Sequence, residues 1–157
     1  MSLVDEEWPD PGSTDSVAFE FRVEVDVRRL YEAITRPESL AHWIRHPGLT
    51  TLSAHGELRV GGQWWIRFAR ENGEIVTAAG EYLTLDKEHY LELLLHWDDT
   101  VSDTPPFHPM RLRIQLDGVG EATYVRLAHE GLVSRAAWED HVTAWRLSGE
   151  ALIAYLA

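Results

Sequence analysis

From Val17 the apolar positions alternate. Val17, Phe19, Phe21, Val23 and Val25 fall on one face of an extended segment, and Ala18, Glu20, Arg22 and Glu24 on the other, the period of a half-buried strand. At Asp26 the period changes. Leu30, Tyr31 and Ile34 follow at helical spacing, and Asp26 is placed to cap a helix over 27–34. Thr35 and Glu38 have capping-box spacing with Pro37 in the first turn. They predict a second short helix over 38–45, carrying Leu40, Trp43 and Ile44 and stopped by Pro47-Gly48.

The chain then reads as strands. Two short, weak segments, 49–54 and 58–60, lead to a turn at Gly61-Gly62 and a strand over 63–70. Asn72-Gly73 signals a hairpin. The return strand, 74–85, is long enough to hold a bend or bulge at Ala79-Gly80. A turn at 86–88 precedes a strand over 89–97, and the acidic, Pro-rich stretch 98–109 reads as a mobile loop. The segment 110–116 alternates with Arg111, Arg113 and Gln115 outward, and the turn 117–120 leads into a strand over 122–130.

Ser134 is placed to cap the last element, a helix running to about Leu156. Trp138, Val142, Trp145, Gly149, Leu152 and Leu156 step along it by fours and threes and predict one apolar stripe. Gly149 lies on that stripe, where a glycine costs about 1 kcal/mol against alanine. The order of strand, two short helices, antiparallel strands and one long helix predicts an α+β fold. A curved antiparallel sheet of about six or seven strands would wrap around the C-terminal helix, which buries its stripe against the concave face. Such a grip leaves a cavity wherever the inward side chains do not fill it.

Composition narrows the function. Of 157 residues, 14 are Lys or Arg and 26 are Asp or Glu, a net charge of −12. That argues against a nucleic-acid partner, which recruits clustered cations, and against an anionic lipid surface. No run has the length of a membrane span and no apolar signal core opens the chain, so a cytoplasmic protein is expected. With no cysteine there is no disulfide, thiolate metal site or cysteine nucleophile. Seven tryptophans point to a large aromatic core or an aromatic-lined pocket. Residues 1–14, with Asp5, Glu6, Glu7 and Asp10 among prolines and a glycine, read as a flexible acidic tail ahead of a single domain over 15–157.

Eight histidines raise the question of a metal. His42 and His46 are placed to share a helix face, but no HExxH glutamate accompanies them, and zinc needs three or four converging ligands. Neither a metal nor a cofactor is expected. His129 shares a face with Thr123, Val125 and Leu127 and is expected to point inward, either as a paired core histidine or as a polar anchor at a pocket. The facing of Arg67 and Glu81 is open.

Three stretches carry a family resemblance. One runs from Val23 through Leu30-Tyr31-Glu32-Ala33-Ile34-Thr35-Arg36-Pro37-Glu38 to Trp43. Another is Val60-Gly61-Gly62-Gln63-Trp64 with Asn72-Gly73 and Gly80-Glu81-Tyr82. The last runs from Thr123 to His129-Glu130-Gly131, then His141, Ala144-Trp145, Leu152 and Tyr155-Leu156. In this order they resemble the START-like (SRPBCC, Bet v 1-like) helix-grip superfamily, and within it the homologues of the activator of heat-shock protein 90 ATPase (AHSA1-like). Ala144 departs from the family's usual glycine.

The resemblance implies a helix-grip fold with a ligand cavity, and it leaves three functions open. The leading one is a non-catalytic module holding a hydrophobic or aromatic small molecule, lined by Trp65, Leu93, Leu95, His129, Trp138, Val142 and Trp145. The second is a polyketide cyclase/aromatase-like enzyme with His129 in proton transfer. The third is a co-chaperone-like interaction protein acting through its acidic surface. A homodimer is compatible with all three.

Overall fold

The computed structural model describes residues 8–10 and 13–157. Strand β1 (Ser16–Val23) leads to helices α1 (Val27–Thr35) and α2 (Pro37–Trp43). Six strands follow: β2 (Leu49–Gly56), β3 (Gln63–Arg70), β4 (Ile75–Asp86), β5 (Tyr90–Trp97), β6 (Met110–Val119) and β7 (Ala122–Glu130). Helix α3 (Arg135–Leu156) ends the chain. The seven strands form one antiparallel sheet in the order β1-β7-β6-β5-β4-β3-β2, curled into a half-barrel that grips α3. The fold expected from the pattern is the fold observed. Among the described residues, no helix is long and apolar enough to cross a membrane.

Local chemistry sets the element ends. Asp26 accepts from the Arg29 backbone N–H at 2.8 Å, and Ser134 accepts from that of Ala137 at 3.1 Å, so two N-termini are capped by the residues the pattern singles out. The capping box at Thr35 does not form. The Thr35 hydroxyl donates back to the Tyr31 carbonyl at 2.6 Å, and α2 starts from Arg36 with no side-chain cap and Pro37 in its first turn. The irregularity of β4 falls between Tyr82 and Thr84, beyond the expected Ala79-Gly80. Gly80 serves a different need: a Cβ there would lie 1.7 Å from the Leu94 carbonyl oxygen, so only glycine permits that strand approach.

The concave face follows strand parity. Val17, Trp64, Ile66, Phe68, Leu93, Leu95, Leu112 and Leu127 are buried there. Arg67 and Glu81 take the opposite parity, outward, settling their facing. On the outer face, Arg113 is 0% exposed and pairs with Glu130 at 2.8 Å. The ring of Trp8 lies under the guanidinium carbons of Arg113 and Arg126, at 4.9 and 4.6 Å. Most of the acidic residues of the expected tail lie outside the described residues.

Candidate functional site

Between the concave face and α3 lies a cavity of about 110 Å³. Its walls are Trp64 and Phe68 from β3, Leu93, Leu95 and Trp97 from β5, and Trp145 from α3. The connection from α2 to β2 closes one side with Trp43, Ile44 and His46. Two anchors hold that connection. The Trp43 indole donates to the Ala33 carbonyl at 2.8 Å. Ser148, buried on α3, accepts from the Arg45 N–H at 2.8 Å and donates to the Arg45 carbonyl at 3.1 Å.

A second cavity, about 220 Å³, lies toward β1 and the C-terminal half of α3, against Phe19, Phe21, Leu127 and Gly149. Trp145, Trp43, Ile34 and Ile114 border both cavities. Trp145 is therefore part of the partition between two apolar chambers.

The polar content of the first chamber is a histidine cluster. His141 and His129 meet edge to face at 4.8 Å between ring centroids, and His46 and His141 at 5.3 Å. His46 Nε2 lies against Asp140 Oδ2. Hydrogen bonding fixes the tautomers. The Trp145 indole donates to His129 Nδ1 at 2.9 Å, so the His129 proton sits on Nε2, which faces Met110 Sδ at 3.2 Å. His141 Nδ1 faces the Ala137 carbonyl at 2.7 Å and must donate, which leaves Nε2 as an acceptor. Burial, reinforced by His141 and His46 nearby, holds the His129 imidazole well below its ordinary range. Burial likewise lowers His141, to about 4, against the opposing hydrogen bond to Ala137. Both rings are neutral at physiological pH. Burial pulls the Asp140 carboxyl upward, but its interactions with His46 and Ser102 outweigh this and lower it overall.

Several buried polar atoms around this chamber have no hydrogen-bond partner among the described residues. They include the indole nitrogens of Trp64 and Trp97 and His141 Nε2. Each such atom costs about 1–3 kcal/mol if left unmet. The Tyr82 hydroxyl, also at the wall, is pushed up to about 12 by burial and stays protonated.

Of the residues expected at the site, Leu93, Leu95, His129 and Trp145 line the first cavity. Trp65 does not: it has the outward parity of β3, stacks on His55 at 5.7 Å between centroids and carries the Arg67 guanidinium at 4.4 Å. Its neighbour Trp64 holds the inward place. Trp138 and Val142 pack half-buried against the core but line neither cavity, and the Trp138 indole donates to the Ser16 carbonyl at 3.0 Å. The buried line of α3 is Ala137, His141, Ala144, Ser148, Leu152 and Leu156. It is displaced by about one residue, roughly 100°, from the expected stripe over most of its length. His141, Ser148 and Trp97 are members of the site that patterning passed over. The signal for His141 and Ser148 was their spacing with Ala137 and Ala144. His42 and His46 do not share a helix face, because α2 ends at Trp43; His42 stacks on Tyr155 at 5.2 Å. Among the described residues no cluster suited to a metal ion occurs.

The family described as Activator of Hsp90 ATPase homolog 1-like protein matches residues 24–157. Among solved structures, protein CV1439 from Chromobacterium violaceum is similar at 21% identity and a TM-score of 0.75, over 89% of this chain and 96% of that one. The AHSA1 protein from Silicibacter pomeroyi is similar at 18% identity and a TM-score of 0.74, over 90% and 96%. DynU16, from the dynemicin biosynthetic locus, is similar at 17% identity and a TM-score of 0.70, over 94% of this chain and 48% of that one. Such identities carry the fold alone. No curated protein matches the chain significantly.

Proposed function

Because the chain belongs to the activator of Hsp90 ATPase homolog 1-like family, we propose that it is a binding protein for a small apolar or aromatic molecule held between the sheet and α3. The observation that carries this reading is the apolar chamber walled by Trp43, Trp64, Phe68, Trp97 and Trp145. Apolar concavity with a few placed polar groups is the usual form of a small-molecule site. Leu93, Leu95, His129 and Trp145 are its proposed contact residues, joined by Trp64 and Trp97. The proposal places the protein in the cytoplasm, in keeping with its lack of cysteine. It admits a homodimer.

Native mass spectrometry of protein freshly purified from its source host, compared with the denatured mass, tests the reading. Extra mass lost on denaturation supports it and narrows the ligand class. A ligand-free mass, together with no thermal shift from any apolar probe, overturns it.

A second reading, a proton-transfer enzyme of the polyketide cyclase kind, is favoured by one observation: the line of contacts from Asp140 through His46 to His141 and His129 at the cavity wall. Of these rings His141, whose Nε2 is open as an acceptor, is placed to take a proton from a bound substrate, whereas His129, the expected proton-transfer group, has both ring nitrogens engaged by Trp145 and Met110. Turnover that survives replacement of both His129 and His141 rejects it.

A further inference from the structure

The unmet polar atoms specify more than an apolar occupant. Trp64, Trp97 and His141 are each more than nine-tenths buried, at 7%, 3% and 2% exposed, and all three border the first cavity. The indole nitrogens can only donate, and His141 Nε2 can only accept, because Nδ1 carries the proton toward Ala137. The rings that carry the acceptor and one donor flank the same histidine: the His46 ring contacts Trp97 at 5.1 Å and His141 at 5.3 Å between centroids.

We infer that the first cavity takes a single-ring phenol, its hydroxyl donating to His141 Nε2 and accepting from the Trp97 indole N–H. This rests on the binding reading above and names the chemical class of the ligand. A hydroxyl meets both requirements with one atom, because it donates once and accepts twice. The Trp64 indole offers a second donor from β3. Size sets an upper limit: the chamber, about 110 Å³, is smaller than the apolar cavity of about 150 Å³ that accommodates benzene, so it admits no more than one ring, and the ring enters with an outward adjustment of the walls.

Two other ligand classes fit less well. A hydrocarbon of the same shape fills the chamber but leaves the donors and the acceptor unpaired. A carboxylate brings a negative charge to a wall whose cation is already committed. The Arg45 guanidinium donates to the carbonyls of Ile44 and His42 at 2.9 and 2.8 Å. The His141 lone pair would repel such an anion, and a buried charge without a partner is costly. The lowered titration of His141, about 4, keeps its Nε2 unprotonated across the neutral range.

Calorimetric titration of the full chain with phenol, toluene and benzoate tests this, since phenol and toluene differ only by hydroxyl for methyl. Phenol is expected to bind about tenfold or more tightly than toluene, the scale of one buried hydrogen bond, with benzoate weakest. The Trp97 indole N–H resonance should shift with phenol and stay nearly fixed with toluene. Trp97→Phe removes the donor and also reshapes the wall, so its readout is the ratio of phenol to toluene affinity, which should fall toward one. Toluene binding as well as phenol, or benzoate binding best, overturns the phenol assignment while the binding reading stands. No binding of any of the three also overturns the phenol assignment, and the binding reading is then decided separately by the native mass and the apolar probes. The comparison on the unsubstituted chain decides the matter even if Trp97→Phe fails to fold.

Discussion

The Trp145 indole N–H donates to Nδ1 of His129 at 2.9 Å, joining α3 to β7 at the boundary between two apolar cavities. His129 is 2% exposed, so its ring nitrogen has no solvent to fall back on. One bond thereby fixes a tautomer, orients an indole and ties the helix to the sheet. Trp145→Phe keeps one aromatic ring and removes the donor together with the pyrrole part of the indole. We expect a loss of about 1–3 kcal/mol of stability, the cost of a buried unmet acceptor. Urea unfolding should show a lower midpoint with an unchanged slope.

Ser148 makes a comparable junction on the next turn of α3. Its hydroxyl satisfies both backbone groups of Arg45, holding the segment that carries His46 to the cavity wall. Ser148→Ala should cost about 1–2 kcal/mol, since two part-buried hydrogen bonds to the Arg45 backbone are lost. His46 should also move relative to Asp140. The check is a denaturation midpoint together with the His46 ring resonances.

Acid should destabilise the fold before the carboxylates titrate. His129 and His141 are held below the ordinary histidine value of 6.5, His141 at about 4. Between pH 6.5 and about 4 the unfolded chain binds protons that the folded chain refuses. Their contribution is therefore complete above pH 6.5 and lost as pH falls through that window. Each histidine contributes a slope of about 1.4 kcal/mol per pH unit where only the unfolded chain is protonated. Melting temperature should be flat from pH 8 to about 7 and fall steadily from about 6 to 5, with His141→Asn reducing the slope. A midpoint insensitive to pH in that range would contradict the burial of neutral imidazoles.

Gly149 lies mid-helix, and a Cβ added there meets nothing within 4 Å. It borders the second cavity. Gly149→Ala should therefore raise stability by up to about 1 kcal/mol through helix propensity alone. The thermal midpoint checks the gain. Phenol affinity in the first cavity should be unchanged, because Gly149 is not among its walls.

The sequence by itself determined the elements and their order. Asp26 and Ser134 are legible caps because they bond to backbone groups three residues away. The alternation of β1 and β6 and the length of α3 are likewise local signals. His129 was legible as inward-facing from the parity of β7, and the first cavity does include Leu93, Leu95 and Trp145. What only the tertiary structure decided is the phase of each element against its neighbours. Trp64 and Trp65 are both apolar, so composition does not say which faces in; the register of β3 with β4 does. On α3 the most hydrophobic positions, Trp138, Val142 and Trp145, are not the deepest line. Small or hydrogen-bonded residues, Ala137, His141, Ala144 and Ser148, take the innermost positions, and Trp138 and Val142 pack half-buried at the flank. The histidine cluster joins His46, His129 and His141 from a connection, a strand and a helix. Each pairing in it spans a stretch of chain that local periodicity does not see, and it exists only because the sheet closes around α3.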